Sequence, residues 1–297
     1  MRVFVPGASG FIGSAVVKEL IGAGHEVRGL ARSETAANVV HALGAEVLRG
    51  SLEDLQSVSR GAAEADGVIM LAFGHGDMSK MAESATAEAG AIEAIAKSLE
   101  GTGRPLVVAT GVAGIVAGKA ASIPKTPSPM ASRHAGLRAA LAAANKNVRA
   151  SFVGLPPFVH GVGDGHGFMP RLISIAREKK VSAFIGDGAN RWPAVHRLDA
   201  ARLFRLALEF LPAGAAVHAI GDEGVPLRVV AEAIGRKLDA PTTSISHADA
   251  AAHFGWLAGL LSRDLTGTAA APTHELVSWQ PQGPALIEDL DAGHYFN

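Results

Sequence analysis

Gly7, Gly10 and Gly13 stand at every third position of the stretch VPGASGFIG, residues 5 to 13. An apolar run that reads as a strand precedes them, and an amphipathic run that reads as a helix follows. A tight turn leaving a strand needs φ angles that side chains resist, and Gly7 supplies them. Gly10 lets the backbone approach a diphosphate, and Gly13 lets the helix close on the sheet. Together with Ser9, Phe11 and Ile12, the loop then offers unpaired N–H groups and the partial positive charge of a helix start. A loop can be glycine-rich merely in order to turn. Strand before, helix after and a second strand nearby select a dinucleotide as the ligand.

The position that distinguishes two such ligands lies just after the second strand, HEVRGLA (25 to 31). An acid there binds the ribose 2′-hydroxyl of NAD, whereas a basic residue holds the 2′-phosphate of NADP. The chain reads GLARSE, with Arg32 and Ser33 in that place and Glu34 one step late, where it can cap the next helix. NADP(H) is therefore favoured over NAD(H), the plainer alternative for Arg32 being a solvated arginine at a strand end.

These groups need a scaffold, and the first half of the chain supplies its pattern. Short apolar runs alternate with helical ones, which predicts parallel strands joined by helical crossovers. Strands are expected at 2–5, 25–31, 45–50, 67–73, 104–110 and 147–156. Helices are expected from Phe11 to Ala23, after the N-cap Ser33, and near 130 to 145. GVIMLAF (67 to 73) and RPLVVAT (104 to 110) are continuous apolar runs, as strands covered on both faces require. The second half is less regular. It has a Pro/Gly/His-rich loop at 155–168, helices at 170–179, after Asp199 and at 226–238, and a loop-like tail, APTHELVSWQPQG, ending near a short helix.

The chain has 297 residues, 48% of them hydrophobic and 19% charged, with a formal net charge of −1. That balance gives no broad attraction to nucleic acid or an anionic membrane, and leaves a small molecule or a second copy of the chain as partner. The chain contains 0 cysteines, so it has no disulfide framework and no thiolate zinc site, which fits the cytoplasm. No run approaches the ~18–20 apolar residues of a membrane span.

The order and spacing of GASGFIG, GSLEDL (50 to 55), ADGVIMLAF (65 to 73), LVVATG (106 to 111), GLPPFVHGVGD (154 to 164) and AVHRLDAARL (194 to 203) resemble the short-chain dehydrogenase/reductase superfamily. The likeness is to its extended and atypical branch, the NAD-dependent epimerase/dehydratases. The resemblance implies an α/β fold, a doubly wound parallel sheet of the Rossmann type, with a smaller C-terminal substrate-binding region. The dinucleotide domain would be 1–155, with 191–221 returning to it, and the substrate region 156–190 and 222–297. Leu71, Ala72 and Phe73 would line the cofactor cleft, and the Leu155-Pro156-Pro157 turn would lie beside the nicotinamide. A homodimer through helices flanking the sheet is what the family suggests.

The resemblance also implies a Tyr-x-x-x-Lys pair, in which the tyrosine is the acid/base and the lysine lowers its pKa. The one tyrosine of this chain is Tyr295. Matching Ser132-Arg133 to the family's Ser-Lys puts Pro129 at the tyrosine's place, and proline exchanges no proton. Arg133 is left to bind ribose or phosphate, and Thr110 keeps part of the family's Ser/Thr position. A substituted proton donor would come from His75, His134, His160 or Thr110, of which His75, Thr110 and Arg133 are taken as the catalytic set. His75, His160, Arg191 and Trp192 are taken as substrate contacts, although each histidine also reads as an ordinary loop histidine. His166 lies on the same loop as His160, and His196 and Asp199 match a family segment with a structural role.

No His-Glu-x-x-His pattern, phosphate loop of the nucleotide hydrolases or nucleophile elbow occurs, so a metal centre and a hydrolase are not expected. REKK (177 to 180) reads as a solvated helix end, and AAHFGWLAGLL (251 to 261) as a pocket roof or a subunit contact. The expected activity is an NADP(H)-dependent oxidoreductase acting on a carbonyl or alcohol of a small organic substrate. The alternative is a catalytically silent NADP(H)-binding redox sensor acting through a protein partner.

Overall fold

A computed structural model describes residues 1–74, 80–118, 121–123, 133–266 and 271–297, with the side chains of 133, 271 and 272 left aside. His75, Pro129 and Ser132 lie outside the described residues, as does the side chain of Arg133. The chain forms two compact units, one of residues 1–155, 200–219 and 271–279, the other of 156–199, 220–270 and 280–297.

The first unit is built on a seven-stranded sheet. Its strands are β1 (Arg2–Pro6), β2 (Glu26–Ala31), β3 (Glu46–Arg49), β4 (Gly67–Met70), β5 (Pro105–Gly111), β6 (Arg149–Leu155) and β10 (Ala216–His218). Their order is β10-β6-β5-β4-β1-β2-β3, and every pair is parallel. This is the doubly wound α/β arrangement expected from the alternating pattern. Strand order reverses between β1 and β4, and in open sheets of this kind ligands bind beyond the strand carboxyl ends at such a point.

Helices α1 (Phe11–Gly22), α2 (Glu34–Ala42), α3 (Leu55–Ala63), α4 (Met81–Leu99), α5 (Arg133–Ala143), α7 (Arg197–Phe210) and α11 (Ala271–Val277) complete the unit. Ser33 caps α2 by accepting the Ala36 N–H at 3.2 Å, and Asp54 caps α3 by accepting the Ser57 N–H at 3.1 Å. Both serve donors that helix geometry leaves unpaired. Phe4, Val58, Met70, Ile92, Ile95, Val108 and Phe152 are buried in the core between β-sheet and helices. The continuous apolar run of β4 is buried at all four positions. At the β10 edge, Gly118 and Ala216 exchange backbone hydrogen bonds at 2.9 Å each way, which covers an edge that would otherwise template association.

The tail, whose composition predicts a loop, forms helix α11 instead. Thr273 is fully buried, and its Oγ1 accepts from His218 N and donates to His218 O, both at 2.9 Å. The helix therefore docks by a tertiary contact that local periodicity does not record.

The second unit contains β7 (Phe158–His160), β8 (Ser182–Ile185), β9 (Arg191–His196), β11 (Asp222–Pro226), β12 (Thr242–Ile245), α6 (Phe168–Lys179), α8 (Leu227–Leu238), α9 (Ala250–Phe254), α10 (Ala258–Leu261) and α12 (Leu286–Asp291). Strand β9 pairs antiparallel with β11 and parallel with β7, while β8 and β12 form a separate parallel pair. The returning segment expected at 191–221 is corrected accordingly. Hydrogen bonding to β7 and β11 keeps 191–199 in this unit, whereas 200–219 goes back to the first, as does 271–279 of the region expected at 222–297. The apolar stretch 251–261 is half turned inward, with Phe254, Leu257, Ala258 and Leu261 buried and Trp256 exposed. Among the described residues no helix is long and apolar enough to cross a membrane.

Candidate functional site

In the first unit the sheet brings Gly7, Arg32, Leu71, Thr110 and Leu155 to the carboxyl ends of β1, β2, β4, β5 and β6. Gly7 has φ +94°, and a Cβ there would lie 2.7 Å from Ala72 N and 2.9 Å from Leu71 C. The turn after β1 thus packs directly on the turn after β4, with Leu71 N donating to Pro6 O at 3.0 Å. Gly10 N donates to Gly7 O at 3.0 Å, and a Cβ on Gly13 would overlap that same carbonyl oxygen. Helix α1 opens at Gly10 with no side-chain cap and no acid in its first turn. A helix start without a side-chain cap or an acid presents its partial positive charge to an anion. The residues present fit a dinucleotide diphosphate.

Arg32 is exposed just past β2. Its charge acts on Glu53, whose carboxyl is held below the usual range by the Ser51 hydroxyl first, then its own backbone N–H, and by Arg32. Ser33 accepts one hydrogen bond as the α2 cap, and its hydroxyl proton stays available to a phosphate oxygen. Glu34 is not the cap. It sits in the first helical turn, where its carboxylate meets Arg49 at 2.6 Å.

Thr110 is 5% exposed at the end of β5, with its hydroxyl packed against Gly114 in the turn Val112–Gly114. Arg133 begins α5. Leu155 ends β6 opposite Gly111 of β5.

The substrate contacts expected from the second unit fall differently. Trp192 is 1% exposed, its Nε1 donates to Arg263 O at 3.0 Å, and its ring meets Phe158 at 5.1 Å. It is a core residue rather than a pocket wall, because β9 turns it inward. His160 is also buried, with Nδ1 2.9 Å from Asp289 Oδ2. Its ring meets that of His196 edge-on at 5.5 Å. The buried Nε2 of His160 and Nδ1 of His196 have no hydrogen-bond partner among the described residues. Arg191 is exposed, and its backbone N–H donates to Asp264 Oδ2 at 3.1 Å while Nη2 donates to Thr266 at 3.3 Å.

Sequence reasoning did not find Asp289 or the Tyr295–Asp164 contact. Asp289 lies 129 residues from His160, and no local spacing signals the pair. Burial tends to raise the Asp289 carboxyl, but the His160 hydrogen bond and the charges of His160, His294 and His196 hold it low.

Burial lowers His196, aided by the charge of His160. Burial likewise lowers His218 against its bond to the Ile115 carbonyl, and His253 with help from Lys179. The unfolded chain takes up these protons near 6.5, whereas the folded chain does so only at lower pH. Their contribution to stability is therefore complete above 6.5 and is lost as pH falls through 6.5 toward the folded values. Thermal melts from about pH 7.5 to about pH 5.5 are expected to show a falling midpoint. A flat profile would contradict the burial of these rings.

Residues 3–220 match the family described as NAD dependent epimerase/dehydratase. An uncharacterized protein of Schizosaccharomyces pombe is 46% identical over 299 residues, covering 100% of both chains. The 4-hydroxy-2-methyl-3-oxo-4-farnesyl-3,4-dihydroquinoline-1-oxide ketoreductase of Stigmatella aurantiaca is 29% identical, covering 93% of this chain and 85% of its own. Among solved structures, the UDP-glucuronic acid 4-epimerase of Bacillus cereus, in complex with UDP-glucuronic acid and NAD, superposes with TM-score 0.74 at 16% identity, covering 99% and 98%. That last likeness concerns the fold. With a glycine loop seated at the switch point of a parallel sheet and a family match over most of its length, the chain belongs to the NAD-dependent epimerase/dehydratase family of Rossmann-type proteins.

Proposed function

We propose that the protein is an NADP(H)-dependent oxidoreductase acting on a carbonyl or alcohol of a small organic substrate. The observation that carries this reading is the uncapped start of α1, closed against the turn after β4 by Gly7 and Gly13. When bound, the nicotinamide supplies or accepts the hydride at the substrate carbon. The loop from Gly7 to Gly13 and the positive end of α1 hold the diphosphate, and Arg32 with the Ser33 hydroxyl holds the 2′-phosphate. Leu71, Ala72 and Phe73 exclude water along the dinucleotide, Leu155 and Pro156 border the nicotinamide, and Arg133 binds ribose. The proton that accompanies the hydride is assigned to His75 or to the Thr110 hydroxyl at the end of β5. Arg191 is left as the exposed substrate contact of β9. The ketoreductase name of the Stigmatella relative supports carbonyl chemistry. The same reading has the chain act in the cytoplasm as a homodimer, on a small molecule rather than on nucleic acid or a membrane.

Titrations of NADPH and NADH against the wild type and Arg32→Asp test the cofactor assignment. A charged hydrogen bond to phosphate corresponds to about tenfold to hundredfold in affinity, so Arg32→Asp is expected to lose that much for NADPH while NADH binding holds or improves. An unchanged ranking removes Arg32 from the site. A carbonyl panel should then reveal NADPH consumption; tight binding without turnover on any compound would return the protein to the class of silent binders.

A further inference from the structure

Residues 161–167 (GVGDGHG) join β7 to α6 without regular structure, and Val162 within them is 68% exposed. No apolar anchor fixes this loop, so polar contacts must. Gly161 N donates to the Tyr295 hydroxyl at 3.0 Å, and that hydroxyl donates to Asp164 Oδ2 at 3.2 Å. Asp164 Oδ1 accepts Gly167 N at 2.8 Å, and Val162 O accepts from Arg197. The phenol thereby ties the first residue of the loop to its midpoint, and Asp164 carries the tie on to Gly167.

That phenol is itself firmly held. The two Asp199 oxygens accept Gln282 N at 2.9 Å and Gly283 N at 2.7 Å. Asp222 accepts Leu286 N at 2.9 Å, Asp289 receives His160, and Arg177 donates to Phe296 O at 2.8 Å. The final segment is fastened along its length within the second unit, and the Tyr295 ring packs against that unit's core.

We propose that Tyr295 is a positioning residue for substrate: through Gly161 and Asp164 its hydroxyl holds loop 161–167 in the conformation that substrate meets. This rests on the oxidoreductase reading above and on the assignment of 156–190 to the substrate-binding region. Tyr295 is the chain's one tyrosine, the residue type that its family resemblance would assign to proton transfer. Its place argues otherwise. Burial, then the neighbouring Asp164 carboxylate, push the phenol well above its usual value, so it keeps its proton and donates it to a fixed acceptor.

Tyr295→Phe keeps the ring and removes the hydroxyl. Amide exchange followed by mass spectrometry on peptides spanning 158–168 should quicken about fivefold to tenfold, the scale of one hydrogen bond. Exchange over residues 1–22 and NADPH affinity should not change. With a carbonyl substrate from the panel, KM is expected to rise by a similar factor and kcat to change little. Asp164→Asn, which leaves one oxygen for the two donors Gly167 N and the phenol, should fall between wild type and Asp164→Ala, and Asp164→Ala should follow Tyr295→Phe. Unchanged exchange over 161–167 would overturn the proposal, as would a collapse of kcat at constant KM. A wild type that binds no NADPH would defeat the oxidoreductase reading alone, and the exchange result would still decide the role of Tyr295.

Discussion

Gly13→Ala is expected to abolish measurable NADPH and NADH binding and to cost about 3 kcal/mol of stability. A Cβ at this position would overlap the Gly7 carbonyl oxygen and stand 2.8 Å from its carbon. Neither atom belongs to a flexible side chain. Gly7 is pressed in turn against Leu71 and Ala72, so relief requires the whole turn to lift off β4. The N–H groups that face the diphosphate move with it. Gly22→Ala in the same helix is the control, since nothing lies within 4 Å of its added Cβ. There a helical glycine gives way to a better helix former, and stability should rise by up to about 1 kcal/mol. Cofactor titration and thermal melts of the two variants measure the contrast. Gly13→Ala binding cofactor as the wild type does would remove the glycine triplet from the site.

The second large effect lies away from the glycine loop. Asp289→Ala is expected to destabilise the protein by about 3 kcal/mol, because it strips the buried His160 ring of its hydrogen-bond partner among the described residues. Both residues are buried, His160 at 1% and Asp289 at 5% exposure, and His160 Nε2 already lacks a partner among the described residues. Asp289→Asn retains an oxygen acceptor and should cost about 1 kcal/mol. The neighbouring Asp291 pairs with Arg236 at 3.2 Å in a half-exposed position, and Asp291→Ala should cost no more than about 0.5 kcal/mol. Denaturant unfolding of the three variants ranks them. Equal losses at 289 and 291 would mean that the buried clasp contributes no more than a surface ion pair.

Much of the scaffold was legible from residues alone, for reasons that are local. The apolar run of β4, the glycine turn and the Ser33 cap each act within a few positions of themselves, where periodicity and residue type are direct records of burial and backbone geometry. The order of such elements then selects a parallel sheet, since short alternating units have few other ways to cover both faces. Arg32 after β2 was read in the same manner, and it does lie exposed at that strand's end. Ser33 and Glu34 both offer a cap in sequence, and the Ala36 hydrogen bond assigns it to Ser33.

Folding decided what depended on distant partners. Trp192 and Arg191 are neighbours of similar promise in sequence, yet β9 pleats one into the core and leaves the other in solvent. His160 looked like a loop group over a pocket until Asp289 arrived from the chain's end to bury it. Tyr295 carried no local pattern at all, and helix α11 stands on a threonine seated against His218. Residue types reveal their chemistry one position at a time. Which of those groups stays available for a ligand is set by contacts between segments tens to more than a hundred positions apart, and no spacing along the chain encodes them.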